Sequence, residues 1–353
     1  MSGPAVVALG GGHGLAASLE ALKLVTDDIT AVVTVADNGG SSGRLREEFG
    51  VLPPGDLRMA VTALCDDTEW GHIWRDVLQH RFQGTGPLAG HALGNLLITA
   101  LWDLHDDPVT GLDLVGRLLN ARGRVLPMAA VPLEITAQVA GLETVADPVG
   151  ATGTTVSAVS AGAEAAGGDG TRTDGTEPGA ATATEVVTTV RGQVAVARTR
   201  GTVRSIALEP ADPPAAPATV EAVLDADWVI LGPGSWFTSV MPHLMVPALR
   251  EALHDTTARR CLTLNLEHSG ETAGISAAGQ LEVLADHAPR MRFDVVLADP
   301  GAVDDEEGLR ATAGRLGAEL VLAPVARRGA PGQHDSLRLA AAYRDLFGSR
   351  GTA

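Results

Sequence analysis

The 353-residue sequence predicts an α/β protein with a three-layer, Rossmann-like fold and a mostly parallel sheet. Short apolar runs recur along the chain, and each is followed by a Gly, Pro or polar cluster and then by a segment with helical spacing of apolar residues. Strands that alternate with helices in this way pair in parallel, with helices on both faces of the sheet. We expect one such domain to span residues 1–353.

The first apolar run, residues 5–9, predicts a buried strand that ends at a glycine cluster. Leu15, Leu19 and Leu22 follow at the spacing of a helix stripe, so this region predicts the first half of a βαβ unit. A second strand is predicted at 29–35. Further strands are predicted at 133–139, 190–197, 228–231, 261–266, 295–298 and 320–323, and helices at 57–65, 72–82, 92–104, 112–121, 244–254, 276–287, 306–317 and 335–347.

Composition narrows the class of protein. Lys and Arg number 26 against 43 Asp and Glu, a net charge of −17, which argues against a general binder of nucleic acid or of anionic membranes. No apolar stretch is long enough to span a bilayer, and two cysteines cannot form a disulfide framework. The sequence therefore predicts a cytoplasmic protein that inserts in no membrane.

Residues 148–187 predict a flexible insertion within the domain. Of the 38 residues from 150 to 187, 27 are Gly, Ala, Thr or Ser, and none is aromatic, Leu or Ile. Such a segment buries too little apolar surface to offset the entropy lost on ordering. A second connection is predicted at 210–217, where four prolines occur in eight residues.

The glycine cluster after the first strand is a candidate anion site, because free amides at a helix N-terminus attract phosphate. Its members are Gly10, Gly11, Gly12, His13 and Gly14. Leu15 replaces the last glycine of a dinucleotide fingerprint, and the only lysine, Lys23, cannot complete a P-loop. The alternative is a tight turn that packs the helix on the strand.

A second polar cluster directly follows the second strand, and we expect it at the same edge of the sheet. Its candidate ligand-binding residues are Asp37, Asn38, Gly39, Gly40, Ser41, Ser42 and Arg44. Asp37 suits ribose hydroxyls or a hydrated Mg²⁺, the serines suit oxygens of a ligand, and Arg44 suits a phosphate. The alternative is a polar loop held by pairs of arginine and carboxylate.

Four further segments of the sequence contribute candidate site residues. Asp56 is a candidate ligand contact, or alternatively a helix N-cap. His91 and Asn95 begin another helix, and a neutral His91 there suits a hydrogen bond to a ligand. The turn after the strand at 228–231 supplies Gly232, Gly234, Ser235 and Thr238, and the last cluster supplies Asn265 and Glu271. Helix capping or packing is the alternative for each.

The spacing of the ten histidines fits no zinc motif, and no catalytic set can be assigned. We therefore predict no resident metal, while Mg²⁺ accompanying a diphosphate ligand is allowed.

Six of these segments, in this order, resemble the CofD/YvcK superfamily: 10–14, 37–46, 53–58, 90–95, 232–239 and 270–272. The Gly-Gly-Ser-Ser-Gly-Arg-Leu-Arg and Pro-Pro-Gly-Asp-Leu-Arg runs are similar to the YvcK branch. Asn38 replaces the commoner second Asp of the family, which weakens a two-carboxylate Mg²⁺ site there. Residues 266–269 also depart from the usual pattern.

The resemblance implies two functions. The YvcK branch implies a regulatory protein that binds UDP-N-acetylglucosamine or a related UDP-sugar, supports gluconeogenic growth and cell shape, forms a homodimer and acts through an unidentified protein partner. The CofD branch implies a Mg²⁺-dependent phospholactyl transferase with a deazaflavin acceptor, for which Trp236 and Phe237 could line an acceptor pocket. We favour the regulator. A dinucleotide-binding oxidoreductase is a third alternative, disfavoured by the incomplete fingerprint.

Overall fold

The computed structural model describes residues 3–141, 154–156, 187–267 and 270–348. Seven parallel strands form a central sheet, and helices cover it, which confirms the predicted fold class. Its strands are β1 (Val6–Gly10), β2 (Ile29–Val33), β3 (Arg124–Pro127), β8 (Trp228–Leu231), β9 (Arg259–Thr263), β10 (Val295–Ala298) and β11 (Glu319–Leu322). The remaining strands are β4 (Glu134–Ala140), β5 (Thr154–Val156), β6 (Val187–Arg191), β7 (Thr202–Glu209), β12 (Ala326–Arg327) and β13 (Ala330–His334).

Twelve α-helices lie within the described residues. They are α1 (Gly12–Leu22), α2 (Gly40–Phe49), α3 (Pro54–Ala63), α4 (Glu69–Gln79), α5 (Leu93–Leu104), α6 (Pro108–Leu118), α7 (Gln193–Ala197), α8 (Pro217–Asp225), α9 (Pro247–Asp255), α10 (Ala277–His287), α11 (Glu306–Arg315) and α12 (Ser336–Gly348). Short π- and 3₁₀-helical turns occupy Trp236–Val240, Met241–Leu244, Gly270–Thr272 and Pro300–Ala302. No helix among them is long and apolar enough to cross a membrane.

The order of strands across the central sheet determines where a ligand can bind. The order is β11-β10-β9-β8-β1-β2-β3, so the chain moves from β1 outward on one side and, after β8, outward on the other. The strand pair β1 and β8 is therefore the topological switch point of the sheet, where the loops on either side diverge and leave a crevice. The predicted pairing of the first two strands is confirmed.

A second, antiparallel sheet has the order β5-β6-β4-β7. Its inner face joins the same hydrophobic core as the central sheet, through buried residues such as Ile135 and Ile206. The predicted flanks of the insertion do pair as strands, β4 with β6. Apart from strand β5 and the start of β6, the predicted insertion 148–187 lies outside the described residues.

Two predicted segments have a different structure. The strand predicted over 190–197 ends at Arg191, and residues 193–197 form α7, because Gly192 adopts a φ of 87° that turns the chain.

The polar cluster after β2 is not all loop, since α2 begins at Gly40. Helix α8 was missed, and it begins at Pro217, the last residue of the predicted proline-rich connection.

Other helices begin earlier than their apolar spacing predicted. Helix α4 begins at Glu69 because the Thr68 hydroxyl accepts a hydrogen bond from Gly71 N. Helix α6 begins at Pro108, capped by the Asp107 carboxylate. These caps lie outside the apolar stripe, so the spacing of leucines does not reveal them.

Candidate functional site

The two glycine turns of the switch point touch each other. A Cβ atom on Gly14 would lie 2.3 Å from Pro233 O and 2.6 Å from Gly234 Cα, so only glycine allows this approach. The first turn follows β1 and the second follows β8, which pair in parallel. Two segments more than 200 residues apart in sequence thus form one backbone surface at the carboxyl edge of the sheet.

Asn265 and Glu271 hold the second glycine turn in place. Asn265 Oδ1 accepts from Gly234 N at 2.8 Å, and its Nδ2 donates to Gly234 O at 2.7 Å. Glu271 Oε1 accepts from Ser235 Oγ at 2.5 Å and from Phe237 N at 2.9 Å. Burial raises the pKa of Glu271, while these hydrogen bonds oppose the rise. Both side chains fix the conformation of a turn that borders the crevice.

A cleft of about 610 Å³, here called the large cleft, opens beside the two turns. This volume is within the range of small-molecule sites. Its floor includes His13 and Gly14 of the first turn, Gly234 and Ser235 of the second, and Asn265 and Glu271. The β12–β13 hairpin contributes Arg327, Gly332, Gln333 and His334, and α12 contributes its first residue, Ser336. Residues 268–269, part of the departure from the family pattern, lie outside the described residues.

A second cleft, of about 340 Å³ and here called the small cleft, shares no lining residue with the large cleft. It is lined by Asp37, Gly39, Gly40, Ser41, Ser42, Gly55, Asp56, Arg58, Met59, Arg81 and Asn95. The single pocket predicted from the sequence is therefore two clefts. The side chain of Asp56 extends from the small cleft to the first glycine turn: a Cβ on Gly11 would lie 2.7 Å from Asp56 Oδ2.

Asp56 has a strongly raised pKa and lies in the small cleft. Burial and the negative charge of Asp37 raise its pKa to about 7, against opposing effects of the Gly12 N–H and Arg58. The predicted N-cap role is wrong, because Pro53 is the N-cap of α3 and Asp56 is the third residue of the helix. Its carboxylate reaches the neighbouring glycine turn instead. Strongly shifted groups in clefts are frequent at functional sites.

A one-directional chain of hydrogen bonds supports the wall of the small cleft. Arg58 Nε donates to Asn95 Oδ1 at 2.8 Å, and Asn95 Nδ2 donates to Ser41 Oγ at 3.0 Å. The Ser41 hydroxyl can then donate to His91 Nδ1, 2.9 Å away. Burial, followed by the charge of Arg44, lowers the pKa of His91, which agrees with the predicted neutral imidazole. Ser41 and Asn95 therefore orient the Arg58 guanidinium.

Several predicted ligand residues make contacts within the protein. Ser42 Oγ accepts from Gly55 N at 3.0 Å, and Asn38 Oδ1 accepts from Val194 N at 3.2 Å. Arg44 donates to the carbonyl oxygens of Pro87 and Ala89, at 3.3 and 2.8 Å. Arg44 lines neither cleft, so the structure gives it a role in holding a loop.

Thr238 is buried and hydrogen-bonded to Ser235 Oγ, which removes its hydroxyl from the surface of the cleft. The backbone of Gly10 lies close to the Leu15 side chain, and Gly232 adopts a φ of 78° beside Thr263 O. These two glycines determine the conformation of the turns, and neither lines a cleft. By contrast, His13 is exposed at the mouth of the large cleft.

The cations of both clefts were not among the predicted site residues. Arg58 and Arg81 line the small cleft, and Arg327 lines the large one. Burial lowers the pKa of Arg58 to about 10, with Arg81 adding to the effect. Arg58 lies in the Pro53–Arg58 motif, two residues after Asp56, and this motif was the available signal. The hairpin residues have no periodic or compositional signal.

The residues of the small cleft fit a hydrated Mg²⁺. Asp37 and Asp56 are close enough for one carboxylate to raise the pKa of the other, and a cation between them would relieve that repulsion. Mg²⁺ is usually held by one or two carboxylates together with phosphate oxygens and water. Within the described residues, no group of three His, Cys, Asp or Glu side chains forms a fuller metal site. Asp37 and Asp56 would hold the ion, whose contribution would be to neutralise a diphosphate.

Comparison with known proteins agrees with this architecture. A family model described as 2-phospho-L-lactate transferase CofD matches residues 6–319. A putative gluconeogenesis factor of Mycobacterium tuberculosis (strain ATCC 25618 / H37Rv) is 48% identical over 340 residues, covering 95% of this chain and 88% of that protein. The gluconeogenesis factor of Bacillus subtilis (strain 168) is 31% identical, covering 86% and 81%.

A crystal structure of a UPF0052 family member from Bacillus halodurans superposes with a TM-score of 0.77 and 28% sequence identity, covering 97% of this chain and 99% of the other. The fold and the switch-point clefts thus define a Rossmann-like protein, and the chain belongs to the CofD/YvcK family. Within that family it is a relative of the gluconeogenesis factors.

Proposed function

We propose that the protein binds a UDP-sugar of the UDP-N-acetylglucosamine type and acts as a cytoplasmic regulator required for gluconeogenic growth and normal cell shape. Its relatives named gluconeogenesis factor support the regulatory role. The observation that carries the ligand is the contact between the two glycine turns, Gly14 against Gly234, at the mouth of a cleft of about 610 Å³.

The two turns suit a diphosphate. Gly14 and Gly234 line the large cleft and have no side chains to block an approach to the backbone. The first turn leads into the N-terminus of α1, whose dipole favours an anion. The rest of the ligand would occupy the large cleft, where Arg327, Gln333 and His334 offer polar contacts. Nucleotide-binding sites typically combine glycine backbone amides with polar side chains in this way.

Mg²⁺ would strengthen binding rather than carry a reaction in this proposal. Asp56 accepts a hydrogen bond from the Gly12 N–H, and Asp37 is close to Asp56. A cation held by these two carboxylates would therefore lie near a diphosphate placed over Gly12. Arg58 and Arg81 add positive charge to the same wall. The ligand and the metal would then stabilise each other.

The transferase alternative requires room for a flat aromatic acceptor. The two aromatic side chains considered for that role, Trp236 and Phe237, are 1% and 0% exposed and belong to the hydrophobic core. Trp236 borders the large cleft with only that small part of its surface. Asn38, where the family more often has Asp, holds the segment that begins α7 through Val194 N. These observations favour a binding protein over a transferase.

Calorimetric titration tests the proposal, using UDP-N-acetylglucosamine with and without Mg²⁺ and GDP and NADH as competitors. We expect UDP-selective binding that tightens when Mg²⁺ is present. Clear binding of GDP without binding of the UDP-sugar would shift the assignment to the transferase, and tight NADH binding would shift it to an oxidoreductase.

A matched pair of variants locates the ligand. His13→Glu places a negative charge at the exposed mouth of the large cleft, and we expect it to weaken UDP-sugar binding by about tenfold or more, because like charges repel in a cleft. His105→Glu makes the same change at an exposed position after α5. Equal affinities of the two variants would refute the placement of the diphosphate.

A further inference from the structure

Two arginines line the small cleft without a carboxylate partner. Arg58 is 3% exposed, and its guanidinium donates from Nε to Asn95 Oδ1 and from Nη1 to Gln79 Oε1, both oxygens of neutral amides. Arg81 donates from Nη1 to the carbonyl oxygen of Gly90 at 3.0 Å. Within the described residues, neither guanidinium forms an ion pair. Because buried charges are normally paired, this arrangement indicates that a partner comes from outside the chain.

The Arg58 guanidinium is held in place with one nitrogen left for a ligand. Gln79 Nε2 donates to Thr62 Oγ1 at 2.7 Å, so the Gln79 amide must present its oxygen to Arg58. Asn95 Nδ2 donates to Ser41 Oγ, which fixes the Asn95 amide in the same way. The third nitrogen, Nη2, makes no hydrogen bond to any described residue. A guanidinium oriented through two nitrogens and open at the third is pre-organised to bind an oxyanion.

The carboxylates of the small cleft do not neutralise these arginines by direct contact. Asp37 Oδ1 accepts from Gly39 N at 2.8 Å, and the Asp56 carboxylate accepts from the Gly12 N–H. The two guanidiniums also act on each other, because the charge of Arg81 adds to burial in lowering the pKa of Arg58. An anion bound to both guanidiniums would remove that repulsion.

Two helices begin at the small cleft and add positive potential to it. The N-cap residues of α2 and α3, Gly39 and Pro53, form no side-chain capping hydrogen bond. Gly39 and Gly40 of α2 and Gly55 of α3 line the cleft. The first N–H groups of a helix and the positive end of its dipole both favour an anion. Two helix ends and two guanidiniums therefore border one cleft.

The remaining lining residues indicate what kind of molecule carries the anion. A volume of about 340 Å³ is at the lower end of the range for small-molecule sites, which leaves room for a group attached to the anion. Met59 is the one large apolar side chain among the lining residues, and the others are glycines or polar residues. Such a lining offers little surface to a flat aromatic ring, whereas it offers hydrogen-bonding partners to hydroxyl groups.

We propose that the small cleft binds the phosphate group of a small, hydroxylated phosphate ester, with Arg58 and Arg81 contacting the phosphate oxygens. This ligand is distinct from the UDP-sugar, since the two clefts share no lining residue. The protein would then bind two metabolites at neighbouring sites. The proposal does not rest on the UDP-sugar assignment.

Calorimetric titration of the full chain tests the phosphate site, with inorganic phosphate and glycerol 3-phosphate as probes, glycerol as the uncharged control and Mg²⁺ present throughout. We expect saturable binding of both phosphates and none of glycerol. Arg81→Gln should weaken phosphate binding by about tenfold or more, because a charge-assisted hydrogen bond is lost. The glutamine amide can still donate to the Gly90 carbonyl oxygen, so the local fold should be kept. Absence of phosphate binding to the wild type would overturn the proposal.

Arg44→Gln is the matched control. Arg44 also donates to carbonyl oxygens of the connection between α4 and α5, those of Pro87 and Ala89, but it lines neither cleft. Its loss should change the affinity for phosphate by less than about threefold, since an exposed charge that makes no contact with the ligand is screened. An equal loss of affinity in Arg44→Gln and Arg81→Gln would mean that Arg81 acts through this connection, which would refute its contact with phosphate.

Competition separates the phosphate site from the UDP-sugar site. Saturating UDP-N-acetylglucosamine should leave the heat of phosphate binding in place. Displacement of phosphate would contradict the proposal, because the diphosphate of the UDP-sugar would then occupy the arginines. If the UDP-sugar itself gives no heat, the proposed function fails, and the comparison of the Arg81 and Arg44 variants still decides whether the small cleft binds phosphate.

Discussion

The Asp56 carboxylate accepts a hydrogen bond from the backbone N–H of Gly12. One residue belongs to the first turn of α3 and the other to the glycine turn after β1, so this contact joins the wall of the small cleft to the edge of the large one. A change of charge at Asp56 therefore changes the electrostatic potential at the turn on which we place the diphosphate.

The raised pKa of Asp56 predicts that folding stability decreases as the pH rises from about 4 to about 7. In that range the unfolded carboxyl, with an ordinary pKa of 3.8, is ionised, whereas the folded one keeps its proton until its pKa of about 7. The full shift corresponds to at most about 4 kcal/mol, and to less here because the side chain keeps some contact with water.

Asp56→Asn should remove this loss of stability and, above pH 7, be more stable than the wild type, since an amide oxygen can still accept from Gly12. Urea unfolding at a series of pH values measures the difference, with the exposed Asp76→Asn as control. Mg²⁺ should stabilise the wild type at pH 8 but not Asp56→Asn. Identical pH profiles for the wild type and Asp56→Asn would show that Asp56 is not the perturbed group.

Asn265→Ala should weaken both the fold and the ligand site, because it removes the two hydrogen bonds that hold Gly234. Leaving the Gly234 backbone groups without these partners costs about 1–3 kcal/mol. Asn265→Asp keeps the acceptor for Gly234 N but places a carboxylate oxygen against Gly234 O, so it should destabilise the turn as well. Urea unfolding and calorimetric titration of both variants measure the two effects. An alanine variant with unchanged affinity would mean that the second turn does not contact the ligand.

Gly14→Ala and Gly314→Ala should change stability in opposite directions. The first places a Cβ against the Pro233 and Gly234 backbone, and such overpacking costs about 1–3 kcal/mol. The second adds a Cβ in α11 where no atom of the described residues lies within 4 Å, and alanine is the better helix former by about 1 kcal/mol. Thermal unfolding of both proteins gives the comparison. Tolerance of alanine at position 14 would contradict the contact between the two turns.

The sequence predicted the central sheet well because its strands are fully buried and read as short apolar runs, as Val6–Gly10 and Trp228–Leu231 do. Glycine clusters at strand ends likewise predicted the turns. Which strand flanks β1 on its second side was not predictable, because pairing between residues more than 200 apart leaves no local signal.

The side chains of the site were harder to assign. Ser41, Asn95 and Asn265 are polar residues of the predicted kinds, but they form hydrogen bonds to other protein groups, and nothing in their local sequence distinguishes support from ligand contact. Arg58 and Arg327 acquire their positions only from tertiary packing. The ligand-binding assignment of the candidate residues remains a prediction.

The switch-point arrangement also has a consequence for synthesis of the chain. On the ribosome, Gly14 emerges more than 200 residues before Gly234, and Ser18 emerges long before Tyr343, to which it is hydrogen-bonded at 3.0 Å. Contacts between such distant segments form late and slow the folding of a domain. The contact between the two glycine turns therefore forms only after most of the chain, through Gly234, has been synthesised.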